Sequence, residues 1–147
     1  MNQIENDIKI IGISTVTSNE AAFTQNTIGQ LWNEFLNTSI KEKLSDLTSS
    51  SLFAVYSDYE NGYAGKYKIT IGYAVKNLDN IPDGLTTVTI PAGKYEVFKS
   101  KSCSPVDIVD TWKTIWQIDP ATFKPNFVTT FEEYKDTNEV VIYVGYN

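Results

Sequence analysis

The chain has 147 residues, long enough for one domain (residues 1–147) whose core buries about two-thirds of the surface of the unfolded chain. Its 18 acidic and 12 basic residues leave a net charge of −6, with no Lys/Arg cluster of the length that tracks a phosphate backbone, which argues against nucleic acid as a direct partner. His is absent and Cys103 is the only cysteine, so imidazole catalysis, Ser-His-Asp chemistry, His-metal sites, intrachain disulfides and thiolate clusters are excluded, and a reducing, cytoplasmic setting fits.

Residues 8–14 are apolar and β-branched and end at a Ser/Thr cluster, so they predict a first strand. From Glu20 to about Leu44, Ile28, Leu31, Trp32, Phe35 and Leu36 recur at helical spacing behind Ser18 or Asn19 as caps, and predict one long helix. Residues 52–56 and 67–75 read as an antiparallel pair turned at Asn61-Gly62. Pro82-Asp83-Gly84 breaks the chain before a strand at 85–90, and Pro91-Ala92-Gly93 separates that strand from another at 94–98. A Ser104 cap with Pro105 in the first turn opens a second helix to Gln117, with Ile108, Val109, Trp112, Ile115 and Trp116 along one face. Residues 127–134 and 140–144 form a closing hairpin.

The order β-α-β-β thus occurs twice. A shift of 80 positions places Ile28 on Ile108, Trp32 on Trp112, Phe35 on Ile115 and Leu36 on Trp116. A shift of 75 places Tyr56 on Phe131, Asp58 on Glu133 and Tyr59 on Tyr134. The expected fold is α+β: duplicated β-α-β-β units forming a curved antiparallel sheet with two helices.

Nine Tyr, seven Phe and three Trp imply either a core packed with rings or a pocket lined with them. Glu132 follows a mainly uncharged run and shares strand parity with Tyr134, which puts carboxylate and phenol on one face and turns Glu133 the other way. Facing inward, such a charge is costly unless paired; with no His and few nearby Lys, a cationic ligand would supply the partner. The competing reading is a half-exposed Glu near the end of a hairpin strand. Trp112 and Trp116, four apart on one helical face, either stack on a flat organic molecule or fill space over the sheet. The match of Trp32 to Trp112 suggests that this position serves the fold, whereas Trp116, opposite Leu36, is freer for function. Tyr56, Tyr59, Phe53, Tyr95 and Tyr134 come from different strands, and each well-placed ring would contribute about 0.5–2 kcal/mol to an enclosed cation.

Residues 91–95 lack the spacing of a phosphate loop, and Gly62-Tyr63-Ala64-Gly65 has no helix to follow it, so both read as turns. Asp58, Glu60, Asp79 and Asp83 lack the donor pattern of a calcium loop; no metal and no cofactor is expected. No stretch approaches the ~20 apolar residues of a membrane span, so no membrane role is expected.

The chain resembles the GyrI-like family, the bacterial effector-binding domains found alone or as the ligand domains of AraC/Rob-type and MerR-type multidrug regulators. The resemblance rests on Ile28, Leu31-Trp32 and Phe35; on Val55-Tyr56 with Asp58-Tyr59; on Tyr67 to Val75 through Ile71-Gly72; on Pro91-Ala92-Gly93-Lys94-Tyr95; on Thr111-Trp112 to Trp116; and on Phe131-Glu132 with Tyr134, against a family pattern Phe-Glu-any-Tyr. It implies a pocket between the two halves and a buried glutamate that neutralises lipophilic cations, a role that would pass to Glu132. Regulator members also carry a helix-turn-helix domain, which this sequence does not show, so a stand-alone binder is implied. Three functions follow. The first is a sensor or sequestering protein for amphiphilic cations. The second is an interaction module for a protein partner, a transcription regulator or gyrase, with Glu132 at the surface. The third is a hydrolase of reactive drug-like compounds, with Glu132 and Tyr134 activating water; the first, non-enzymatic reading leads.

Overall fold

In the computed structural model, which describes residues 2–147, twelve elements follow the chain. β1 (Asn2–Ile4) and β2 (Ile8–Ser18) lead into three short helices, α1 (Asn19–Gln25), α2 (Thr27–Leu36) and α3 (Ile40–Lys43). β3 (Leu47–Ser57), β4 (Lys66–Val75), β5 (Thr86–Ile90) and β6 (Gly93–Lys99) precede α4 (Pro105–Trp116), and β7 (Thr129–Tyr134) and β8 (Val140–Tyr146) close the chain. None of the described helices is long and apolar enough to cross a membrane.

The sequence predicts one long first helix, and the structure divides it into three. Asn26 adopts the left-handed conformation at φ +54°, which Asn tolerates better than most residues because its short side chain can bond locally. Its side chain lies over Gly29, where an added Cβ would come within 2.3 Å of the Asn26 amide oxygen. α2 closes at Asn37, and a second positive φ, at Ser39, separates it from α3. Apolar spacing survives such breaks, so periodicity alone could not reveal them. α4 matches its expected limits closely: the Ser104 hydroxyl accepts from the Asp107 N–H at 3.3 Å and Pro105 stands at the first helical position. β7 begins at Thr129 rather than 127, since Phe127 sits at φ +55° and cannot continue a strand.

The eight strands form one curled antiparallel half-barrel in the order β1-β6-β8-β7-β3-β4-β2-β5. The duplicated units are mirrored in that order: β3-β4-β2 on one side and β7-β8-β6 on the other, with β3 and β7 paired at the centre. β1 and β5 exchange sides, since β1 pairs with β6 of the second unit and β5 with β2 of the first. This exchange covers the otherwise open edges of β6 and β2 and ties the halves together. Where β2 crosses β4, Gly12 faces Gly72. A Cβ on either would come within about 2 Å of the opposing strand's carbonyl oxygen, Ile71 O or Ile11 O, so this close approach requires glycine.

The two faces of the sheet carry separate cores. On the helix side, Leu31, Phe35 and Ile40 pack over Ala54, Ile69 and Ile71, while Ile115 of α4 covers Ile142 and Val144. On the opposite side, Ile10, Phe53, Val55, Ala74, Ile90, Tyr95 and Phe131 close against each other inside the curl. This division corrects the strand match by 75 positions. Tyr56 faces the helices and Phe131 faces away, whereas equivalent residues of a duplicated sheet must lie on the same face.

Candidate functional site

The site is built on the central strand pair. Ala54 stands opposite Glu132, Leu52 opposite Tyr134 and Tyr56 opposite Thr130, so the two-residue period sends Glu132, Tyr134 and Tyr56 toward the helices together. α1 and α2 overhang one side of this pair and α4 the other. A cavity of about 700 Å³ lies between them, large enough for a drug-sized molecule, and is lined mainly by rings and aliphatic side chains.

Glu132 lies at the base of the cavity and is 3% exposed. Its Oε2 accepts from the Trp112 indole N–H at 2.6 Å and from the Tyr56 hydroxyl at 3.4 Å; its Oε1 accepts from the Tyr134 hydroxyl at 2.8 Å. Every donor is neutral, and among the described residues no Lys or Arg lines the cavity. Burial raises the Glu132 carboxyl above the ordinary glutamate range, against the opposing pull of the three hydrogen bonds. Burial also raises the phenols around it. Tyr56 and Tyr134 are pushed far up, first by desolvation and then by the Glu132 charge, and Tyr67 reaches about 12 for the same two reasons. These phenols therefore remain protonated donors at neutral pH.

The cavity walls are aromatic on every side. Trp112 meets Trp116 at 6.0 Å and Tyr56 at 5.4 Å; Trp32 meets Tyr134 edge-on at 5.0 Å. Tyr67 lies between Tyr56 and Tyr59, and its hydroxyl donates to the Asn19 side-chain oxygen at 2.9 Å, linking β4 to the start of α1. At the mouth, Phe23 of α1 reaches Trp116 of α4 at 6.4 Å.

Of the residues singled out from sequence, Glu132, Tyr134, Trp112, Trp116, Tyr56 and Tyr59 line this cavity. Phe53 and Tyr95 do not. They lie on the opposite face, 6.1 Å and 5.4 Å from the Phe131 ring, and the Tyr95 hydroxyl donates to the Pro91 carbonyl at 2.6 Å. Phe53 is three positions from Tyr56, an odd step that turns it through the sheet. Glu133 likewise turns away, accepting from Ser51 at 2.8 Å and Tyr143 at 3.2 Å. With so little of Glu132 exposed, the reading that sets it at a surface interface loses its basis.

Trp32, Tyr63, Tyr67, Phe23 and Ile28 also line the cavity and were not among the expected site residues. Two had a usable signal: Trp32 matches Trp112 in the duplicated helix, and Tyr67 shares strand parity with Ile69 and Ile71, which underlie the helices. Trp112 itself bonds the carboxylate as well as packing over the sheet.

Comparison with known proteins places this architecture. The family model of integron-associated effector-binding proteins, Cass2, matches residues 4–145. The putative transcriptional regulator protein YobU of Bacillus subtilis (strain 168) is 31% identical over 137 residues, covering 90% of this chain and 84% of that protein. Among solved structures, the Vibrio cholerae integron cassette protein VCH_CASS2 superposes with a TM-score of 0.80 at 24% identity, over 98% of this chain and 92% of the other. SAV2435, solved bound to tetraphenylphosphonium, gives 0.77 at 15% identity over 99% and 93%. A putative transcription regulation protein from Staphylococcus aureus MU50 gives 0.72 at 15% identity over 98% and 94%. The curled sheet, the duplicated units and the match across nearly the whole sequence lead to one conclusion: the chain belongs to the Cass2 family of integron-associated effector-binding proteins, within the GyrI-like effector-binding class.

Proposed function

We propose that the protein binds lipophilic organic cations in the cavity between α2 and α4, with Glu132 neutralising the cation and Trp112, Trp116, Tyr56, Tyr59 and Tyr134 enclosing it. The observation that carries this reading is a buried carboxylate whose only partners are neutral donors, at the base of an aromatic cavity without a basic side chain. A carboxylate so placed lacks a counter-charge, and an apolar cation supplies it without bringing back the water that burial removed. Ring faces add about 0.5–2 kcal/mol each. The bound tetraphenylphosphonium of SAV2435, a protein of the same fold, supports the ligand class. A cytoplasmic sensor or sequestering protein is the physiological role that fits.

Titration with tetraphenylphosphonium, followed by Trp fluorescence, tests this directly. Binding should be saturable, and Glu132→Gln should weaken it by about 2 kcal/mol or more, roughly 30-fold, since the cation would enter a site without its counter-charge. Equal affinity in wild type and variant would remove Glu132 from the function.

A further inference from the structure

We propose that this pocket exchanges a proton for its cation: without a cation Glu132 carries a proton shared with Tyr134, and an arriving lipophilic cation displaces that proton to solvent. The inference rests on the cation-binding reading and adds a second, competing occupant to the same carboxylate.

The geometry accommodates both forms of the carboxyl. Trp112 can only donate, so Oε2 remains an acceptor whether or not Glu132 is charged. The Tyr134 hydroxyl, 2.8 Å from Oε1, can either donate or accept. A proton on Oε1 therefore finds the Tyr134 oxygen as its acceptor, and on its departure the same hydroxyl turns to donate. The hydrogen bonds made by the carboxyl itself are kept in both states.

The surroundings leave Glu132 as the group that titrates. Tyr56 faces it from β3, Tyr134 from β7, Tyr67 from β4 and Tyr59 from the segment after β3, all with phenols raised by burial. Trp112 of α4 does not ionise. α1 and α2 contribute Asn19, Asn26 and apolar groups to the cavity, and Cys103 stands exposed at its rim. Burial raises the Glu132 carboxyl, which favours the protonated form in the absence of a cation. The exchange balances, since one proton leaves as one monovalent cation enters. The cavity remains neutral overall, so neither state carries an isolated buried charge.

The test is calorimetric titration of the whole protein with tetraphenylphosphonium in pairs of buffers of different ionisation enthalpy, over a series of pH values that spans the whole range in which the protein stays folded. Infrared spectra of the carboxylic-acid stretch are recorded before and after ligand. Proton release should approach one per cation at the acid end and fall toward zero at the alkaline end. Affinity should drop about tenfold per pH unit below the Glu132 titration, as linkage to one proton requires. The acid stretch should disappear on binding and be missing from Glu132→Gln. Binding that depends on Glu132 but releases no proton at any pH overturns the exchange and leaves the cation site standing. Absence of tetraphenylphosphonium binding overturns both. Because proton counting uses the wild-type protein, the result does not hinge on the variant's folding.

Discussion

The two faces of the central strands use the same kinds of side chain to opposite ends. On the face away from the helices, Phe131 stacks on Tyr143 with centroids 4.4 Å apart and an interplanar angle of 8°, and Phe53 and Tyr95 close around it. On the other face, one residue further along β7, Glu132 looks into a cavity bounded by Tyr56, Trp112 and Tyr134. Rings in contact from all sides make a core, whereas rings held apart by overhanging helices make a wall. Aromatic content is thus no guide to a binding site until the spacing of the elements above it is known.

The contrast can be broken from either side. The largest effect should come from Phe131→Ala, which empties the filled face; removal of a ring 1% exposed should cost about 3–5 kcal/mol in urea unfolding. The folded fraction should still bind tetraphenylphosphonium with near-normal affinity, because the cavity lies on the other face. Trp116→Ala should do the reverse, weakening binding by about 0.5–2 kcal/mol, roughly 2- to 30-fold, while shifting the unfolding midpoint far less. A large stability loss in this variant would make Trp116 a core residue.

The smallest effect concerns the charge itself. A carboxyl raised by folding binds its proton more tightly in the native than in the unfolded state, so its contribution to stability is fully present below the unfolded value. That contribution is lost as pH rises through the raised native value. Glu132→Gln should therefore be more stable than wild type at pH 7, with the advantage vanishing as pH falls into the ordinary glutamate range. Unfolding curves at pH 7 and in that acid range check this; a deficit for the variant at pH 7 would mean that the hydrogen bonds to the carboxylate outweigh the cost of burying it.

Local signals served well where one short-range cause acts. Ser104 and Pro105 mark the start of α4, and β-branched alternation marks β4. They failed where a backbone angle decides: Asn26 and Ser39 divide the first helix, and Phe127 delays β7, all through positive φ values that the residue types permit but do not demand. β1, absent from the expected elements, is three residues long and owes its existence to β6 of the other repeat.

Strand parity and the duplicated β-α-β-β order are properties of the chain's local chemistry, because the two-residue alternation and the helical apolar stripe are fixed within a few residues of each position. They were enough to pair Glu132 with Tyr134, whereas the effector-binding class was legible only as a resemblance carried by short motifs such as Phe131-Glu132 with Tyr134. Which face receives the helices is set by packing between distant segments. So are the distance at which α2 and α4 stand from β3 and β7, and hence whether a given ring fills space or encloses it. Parity within β3 already set Phe53 apart from Tyr56, but which of the two faces the cavity, and that Tyr95 joins the core, depend on register across strands and the height of a helix above a sheet, non-local quantities that no single stretch of sequence contains.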